Sequence, residues 1–176
     1  EAEAFEYNKI SDTSYTYKVL TSEALYNKYT TSRGVQSISR MYVDDDSSCV
    51  RFAVNPGQAS MAINITHDAF SLTDYPYIKV CYRSNSSYYI CDTTINSENG
   101  ENWGSTHPRM KADGNLNSFV VCINDMKNAG EAHFPNPGSM NVLLTLKPLG
   151  PSTVTINEAK YFDIMYAAFF KTKAEA

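Results

Sequence analysis

The side chains best suited to a chemical task in this chain are aromatic and polar. The sequence contains 13 tyrosines, 8 phenylalanines and 1 tryptophan. The apolar C–H faces of a sugar ring stack on flat aromatic side chains, and tyrosine suits a wet surface because it is amphipathic. Sugar hydroxyls also need hydrogen-bonding groups of Asn, Asp, Arg or Lys beside the ring. These residue types are compatible with carbohydrate binding.

Four residues are predicted to form such a binding face. Alternation along a β-strand places Lys79 and Arg83 on one side of their run, and Tyr89 on the same side of the run that follows. Trp103, in a polar stretch, is the fourth. Other roles remain open for each: a plug over the edge of the core for Trp103, a sheet-edge strand former for Tyr89, and a solvated face for the two basic residues.

No motif of a catalytic or nucleotide-binding site is present. The chain lacks G-x-S-x-G, H-E-x-x-H, a P-loop and G-x-G-x-x-G. A glycosidase needs two carboxyl groups that face each other across a cleft, and no glutamate falls in the middle of an aromatic-lined run. We therefore expect a protein that is not an enzyme, with a compact jelly-roll enzyme as an alternative.

Charge and hydropathy exclude several kinds of partner. The net charge is −4 and the 15 Lys and Arg residues are scattered, which argues against nucleic acid because phosphate binding needs clustered cations. No apolar stretch approaches the roughly 20 residues that span a bilayer, so no membrane insertion is expected. The three histidines are far apart and no cysteines form a C-x-x-C pair, which argues against a zinc site.

The chain is predicted to be all-β, because short β-type runs alternate with turn residues and no segment keeps a helical period over a dozen residues. An antiparallel two-sheet β-sandwich or jelly roll is expected, as a single domain over residues 5–176. A short helix or turn is predicted over 22–29 and a long polar stretch over 95–117. The predicted strands are 15–20, 35–43, 49–54, 60–66, 77–84, 88–94, 118–123, 140–148, 153–156 and 161–171.

Four cysteines, an even number, predict disulfides. If runs 77–84 and 88–94 form a hairpin with its tip at Ser86, Cys81 lies opposite Cys91 at disulfide distance. By elimination, Cys49 would pair with Cys122.

Three features suggest a secreted, extracellular protein. The first four residues, Glu-Ala-Glu-Ala, resemble the remnant left when a yeast secretion leader is trimmed, and they are excluded from the fold prediction. The alternative is a native acidic N-terminus. Two N-glycosylation sequons begin at Asn64 and Asn85, and the predicted disulfides require an oxidising compartment.

The runs DYPYIKVCYRS (74–84) and YFDIMYAAFFKT (161–172) resemble strands of accessory β-sandwich domains that accompany glycoside hydrolases in large secreted bacterial proteins. The run CVRF (49–52) and Trp103 fall in comparable order, so the resemblance spans roughly residues 40–176. Such galactose-binding-like jelly rolls commonly bind carbohydrate and hold a structural calcium between their first and last strands. The resemblance thus implies Glu6 and Asp163 as metal ligands.

Carbohydrate binding is therefore the leading functional hypothesis. The partner would be a polysaccharide or glycan, and the chain a monomer or a module of a larger protein. The main alternative is a structural or cell-surface adhesion domain with a protein ligand, which would expose an apolar patch.

Overall fold

A computed structural model describes residues 16–21, 29–32, 35–42, 48–54, 62–67, 72, 74–85, 90–97, 102–126, 142–149, 160–174 and 176. These residues form eleven strands and one 3-10 turn, Ile123–Asp125. None of them belongs to a helix long and apolar enough to cross a membrane. The strands are β1 (Thr16–Thr21), β2 (Tyr29–Ser32), β3 (Val35–Tyr42), β4 (Ser48–Val54), β5 (Ala62–His67), β6 (Tyr77–Ser84), β7 (Ile90–Ser97), β8 (Asn102–Thr106), β9 (Asn117–Cys122), β10 (Val142–Leu149) and β11 (Lys160–Phe170).

The strands form two antiparallel sheets. The six-stranded sheet has the order β3-β4-β11-β6-β9, and β1 also pairs with β11. The five-stranded sheet has the order β2-β5-β10-β7-β8. The predicted all-β, two-sheet β-sandwich is therefore confirmed.

The main core is built from the inward-facing residues of both sheets. In β6 buried and half-buried residues alternate strictly, so Ile78, Val80 and Tyr82 enter the core. Lys79 and Arg83 lie on the opposite side, as the alternation predicts. We call this side, which is turned away from the five-stranded sheet, the outer face.

Strand β11 organises the six-stranded sheet. On one side it pairs with β6, and on the other with β4 along its first half and with β1 along its second half. The register shifts between Ile164 and Tyr166. Because of this bulge, the successive residues Met165 and Tyr166 both join a second apolar cluster on the outer face.

The outer face consequently has two different halves. Beside the second half of β11, Cys49, Met165, Tyr166, Ala168 and Phe170 are buried. Beside the first half lie the charged residues Arg51, Asp163 and Arg83, and this half carries the candidate site.

The predicted hairpin 77–94 and its disulfide are wrong. Strand β6 belongs to the six-stranded sheet and β7 to the five-stranded sheet, so the chain crosses between sheets where a hairpin tip was expected. Cys81 lies on the outer face while Cys91 is buried in the core between the sheets. Both cysteines are free.

The second predicted disulfide is wrong as well. Cys49 lies on β4 and Cys122 on β9, with β11 and β6 between them. Three strand spacings amount to roughly 14 Å, well beyond the reach of a disulfide. Neither cysteine is part of a disulfide.

Two strands fall where none was predicted. Strand β8 lies inside the predicted polar stretch 95–117, and β2 begins at Tyr29, the last residue of the segment 22–29 predicted as a helix or turn. The predicted strand 153–156 and most of the segment 22–29 lie outside the described residues, as do the first four residues.

Candidate functional site

Three charged residues stand in one line across the outer face. Asp163 of β11 is in register with Arg51 of β4 on one side and with Arg83 of β6 on the other. Side chains alternate along a strand, and the residues before and after each of these three are buried. Each of the three side chains therefore points to the outer face. We call Arg51, Asp163 and Arg83 the arginine–aspartate row.

Both arginines bind the one carboxylate. Arg51 donates from Nε to Oδ1 of Asp163 at 2.8 Å and from Nη2 to Oδ2 at 3.0 Å. Arg83 donates from Nε and Nη2 to the same Oδ2, at 3.0 and 2.8 Å. These charge-assisted hydrogen bonds hold both guanidinium groups in a fixed orientation.

The carboxylate of Asp163 is shielded from solvent, whereas both arginine side chains are partly exposed. The side chain of Asp163 is 0% exposed, whereas those of Arg51 and Arg83 are 24% and 18% exposed. A buried carboxylate is tolerated only where it is paired and hydrogen-bonded, which the two arginines accomplish. The hydrogen bond to Asp163 is the main cause that raises the pKa of Arg51, and partial burial opposes it.

A tyrosine ring lies against one end of the row. The guanidinium carbon of Arg51 is 3.7 Å from the ring centroid of Tyr161, a cation–π contact. The backbone of Tyr161 is held by the end of β6. Its N–H donates to Oδ1 of Asn85 at 3.1 Å, and its carbonyl accepts a hydrogen bond of 2.9 Å from the buried hydroxyl of Ser84.

The predicted binding residues that the structure describes are divided between the two sheets. Arg83 belongs to the row, and Lys79 lies on the same face of β6, four residues or roughly 13 Å away. The Lys79 ammonium donates to the main-chain oxygen of Ala176 at 3.2 Å. Trp103 belongs to β8 of the five-stranded sheet, where only its backbone is described, and Tyr89 lies outside the described residues.

The implied calcium role does not fit Asp163. Its carboxylate accepts four hydrogen bonds from two guanidinium cations, and it has no exposed surface to offer a metal ion. Calcium prefers uncommitted oxygen ligands, and two adjacent cations would repel it. Glu6 lies outside the described residues, and the described part of the chain contains no group of three His, Cys, Asp or Glu residues that could hold a metal.

Sequence reasoning missed Arg51 and Tyr161 as site residues. Arg51 carries a usable signal, because an arginine between the buried residues Val50 and Phe52 must point away from the core. Tyr161 carries the same signal beside Phe162. Neither signal identifies Asp163 as the shared partner, because that depends on which strands pair.

The row is a source of hydrogen-bond donors. A guanidinium group has five N–H bonds, and each arginine gives only those of Nε and one of Nη2 to Asp163. The remaining N–H bonds belong to partly exposed side chains, whereas the acceptor oxygens of Asp163 are covered. The row can therefore donate to a ligand's oxygens without accepting from its hydroxyl groups.

The same fold occurs in solved carbohydrate-binding modules. A family 11 module of a cellulosomal cellulase of Clostridium thermocellum has a TM-score of 0.52 at 8% identity, with 81% of this chain and 88% of that chain covered. A β-1,3-glucan binding family 6 module from Bacillus halodurans has a TM-score of 0.50 at 18% identity, with 88% and 96% covered. The resemblance to a carbohydrate-binding-module-like β-sandwich, inferred from sequence, is thereby confirmed at the level of fold.

The fold also occurs within longer chains. PfGH50B has a TM-score of 0.56 at 8% identity over 89% of this chain, but this chain covers only 24% of PfGH50B, about a quarter of its length. No protein-family model matches the sequence, and no curated protein matches it. At these identities the likeness establishes the fold alone.

Proposed function

We propose that this chain is a non-catalytic carbohydrate-binding module that holds a polysaccharide or glycan at the arginine–aspartate row and Tyr161. One observation carries the proposal. Asp163 fixes the guanidinium group of Arg51, which stacks on one face of the Tyr161 ring, so an aromatic ring and oriented donors adjoin each other. Sugar recognition requires both of these ingredients.

Preorganisation strengthens the proposal. An arginine that is free in solution loses side-chain entropy when it orders against a ligand. Here Asp163 has already ordered both arginines, and Asn85 and Ser84 have ordered the backbone of Tyr161. A ligand that docks against these groups therefore meets a surface that needs little rearrangement.

The two alternative functions, an adhesion domain and a jelly-roll enzyme, receive less support. An adhesion domain with a protein ligand is expected to expose an apolar patch, and among the residues whose side chains are described Val120 is the one large hydrophobic residue that is exposed. For a jelly-roll enzyme the site needs an accessible carboxyl group, and that of Asp163 is covered. By analogy with the modules that share its fold, we further propose that the chain is extracellular and acts alone or as a module of a larger protein.

Binding to a glycan array and to insoluble polysaccharides tests the proposal. We expect the protein to bind at least one glycan and Tyr161→Ala to lose most of that binding. Tyr75→Ala is the matched control, because Tyr75 precedes β6, at the opposite end of that strand from Arg83. Trp103→Ala tests the sequence-based prediction separately, since β8 belongs to the other sheet.

The possible outcomes separate the hypotheses. Loss in Tyr161→Ala alone supports the site proposed here. Loss in Trp103→Ala alone moves the binding site to the five-stranded sheet. Absence of binding to plant, fungal, algal and host glycans contradicts the carbohydrate-binding function and favours a protein ligand.

A further inference from the structure

From the donor geometry of the arginine–aspartate row we infer that the ligand is an acidic glycan, one whose sugars carry carboxylate or sulfate groups. The inference rests on the proposed function and specifies the substrate class of the same site. It follows from the charge of the row, from the hydrogen bonds that the row can still form, and from the charge of the whole chain.

The row carries an excess of positive charge. Two guanidinium groups share one carboxylate, so the three side chains together bear a net charge of +1. The excess lies on the partly exposed arginines, and the compensating negative charge lies in the covered Asp163. An approaching ligand therefore meets the cations before it meets the anion. In this partly desolvated position their attraction for an anion exceeds that of a fully solvated arginine.

The hydrogen-bonding capacity of the row is one-sided. A sugar hydroxyl both donates and accepts, so a site for neutral sugars serves it best with exposed acceptors as well as donors. The row exposes N–H donors of Arg51 and Arg83, whereas the oxygens of Asp163 are covered. A carboxylate or sulfate group only accepts hydrogen bonds. It matches this surface without leaving a donor of its own unpaired.

The overall charge makes such binding selective. The chain has a net charge of −4, so a polyanion is repelled by the protein as a whole and attracted at a local cationic site. Binding to an acidic glycan should therefore depend on a few positions. It should not be spread over the surface, as it would be in a basic protein.

Affinity electrophoresis and calorimetry with three polysaccharides test the inference. Polygalacturonate supplies carboxylates, a sulfated galactan supplies sulfates, and a mixed-linkage β-glucan supplies neither. We expect binding to at least one acidic polymer that is about tenfold or more tighter than to the neutral one, as for hydrogen bonds that involve charged partners. Which acidic polymer binds identifies the anionic group.

Two variants locate the effect. Arg83→Gln removes one cation and should weaken binding to the acidic polymer by about tenfold. Arg109→Gln removes an exposed arginine that lies outside the six-stranded sheet, beside Ile90 of β7, and should leave binding unchanged. Thermal unfolding of each variant establishes that it is folded.

Salt dependence of the unaltered protein tests the inference without any substitution, should Arg83→Gln fail to fold. Raising the salt from about 0.05 M to about 0.5 M should weaken binding to the acidic polymer several-fold, because exposed charges are screened over shorter distances. Two results would overturn the inference and leave carbohydrate binding intact. One is binding to the neutral polymer alone. The other is an affinity for the acidic polymer that changes neither with salt nor in Arg83→Gln. Binding to none of the three, together with failure on the glycan array, would overturn both.

Discussion

The backbone N–H of Lys111 donates a 2.7 Å hydrogen bond to the hydroxyl of Tyr82. The ring of Tyr82 is 1% exposed and packs in the main core, so its hydroxyl ties the segment that follows β8 to the interior of β6. A buried hydroxyl must find such a partner, and burial also raises the pKa of this phenol while the Lys111 hydrogen bond lowers it.

Tyr82→Phe should lower the free energy of unfolding by about 1 kcal/mol, the usual net value of one hydrogen bond. Chemical denaturation measures the change. Lys111→Ala is the control, because it keeps the backbone donor and alters only an exposed side chain. Equal losses in the two variants would mean that the hydrogen bond contributes nothing.

Phe162 supports the core from the adjacent strand β11, with its ring centroid 5.8 Å from that of Tyr82 and the planes 16° apart. Phe162→Ala should cost about 3–5 kcal/mol, because it leaves a cavity in the main core, where Phe162 is fully buried. Val120→Ala, at an exposed position of β9, should change stability by less than about 0.5 kcal/mol. Thermal unfolding compares the two, and a small effect of Phe162→Ala would contradict the described core.

Asp163→Asn should destabilise the protein by about 3 kcal/mol, because two guanidinium groups lose the charge that pairs them. Asp125→Asn is the control, since Asp125 is exposed in the 3-10 turn. Denaturant unfolding of both variants gives the difference. If Asp163→Asn proves as harmless as Asp125→Asn, the row is not an ion-paired unit.

All four cysteines should be alkylated when the protein is unfolded without a reducing agent, because none of the four is part of a disulfide. Mass spectrometry counts the labels. A protein that takes up only two labels, or none, retains a disulfide and contradicts the strand pairing described for β4, β6, β7 and β9.

Labelling of Cys81 in the folded protein should accelerate with pH well beyond pH 9. Burial raises the pKa of this thiol from 9.0 to about 11, against a smaller lowering by Lys79. At pH 8 roughly one molecule in a thousand would carry the reactive thiolate. Because the folded state holds the proton more tightly than the unfolded state, the contribution of Cys81 to stability falls as the pH rises from about 9 to about 11. A labelling rate that levels off near pH 9 would contradict this environment.

The sequence predicts which side of a strand a residue occupies better than it predicts which strands pair. Alternation places Ile78, Val80 and Tyr82 in the core and Arg83 outside, because the two sides of a strand depend only on local pattern. The same pattern does not reveal whether the next strand pairs beside β6 or crosses to the other sheet. The predicted hairpin and the Cys81–Cys91 disulfide are wrong for that reason.

The candidate site is partly predictable on the same physical grounds. The sequence points to Arg83 and Asp163, but in separate roles, as a sugar-binding cation and a metal ligand. Their association joins residues 80 positions apart in the chain, and that of Arg51 with Asp163 joins residues 112 apart. Contacts of this kind follow from the central position of β11, which no local pattern encodes.

That central position also bears on how the protein is made. During translation the ribosome releases β3, β4, β6 and β9 before β11, yet β4 and β6 meet only through β11. Until residues 160–170 emerge, β1, the β3–β4 pair and the β6–β9 pair remain separate, and their unpaired edges are prone to associate with other chains. The sheet is therefore completed only after its last strand has emerged. Expression yield should respond to chaperone supply and temperature more than the stability of the finished fold would suggest.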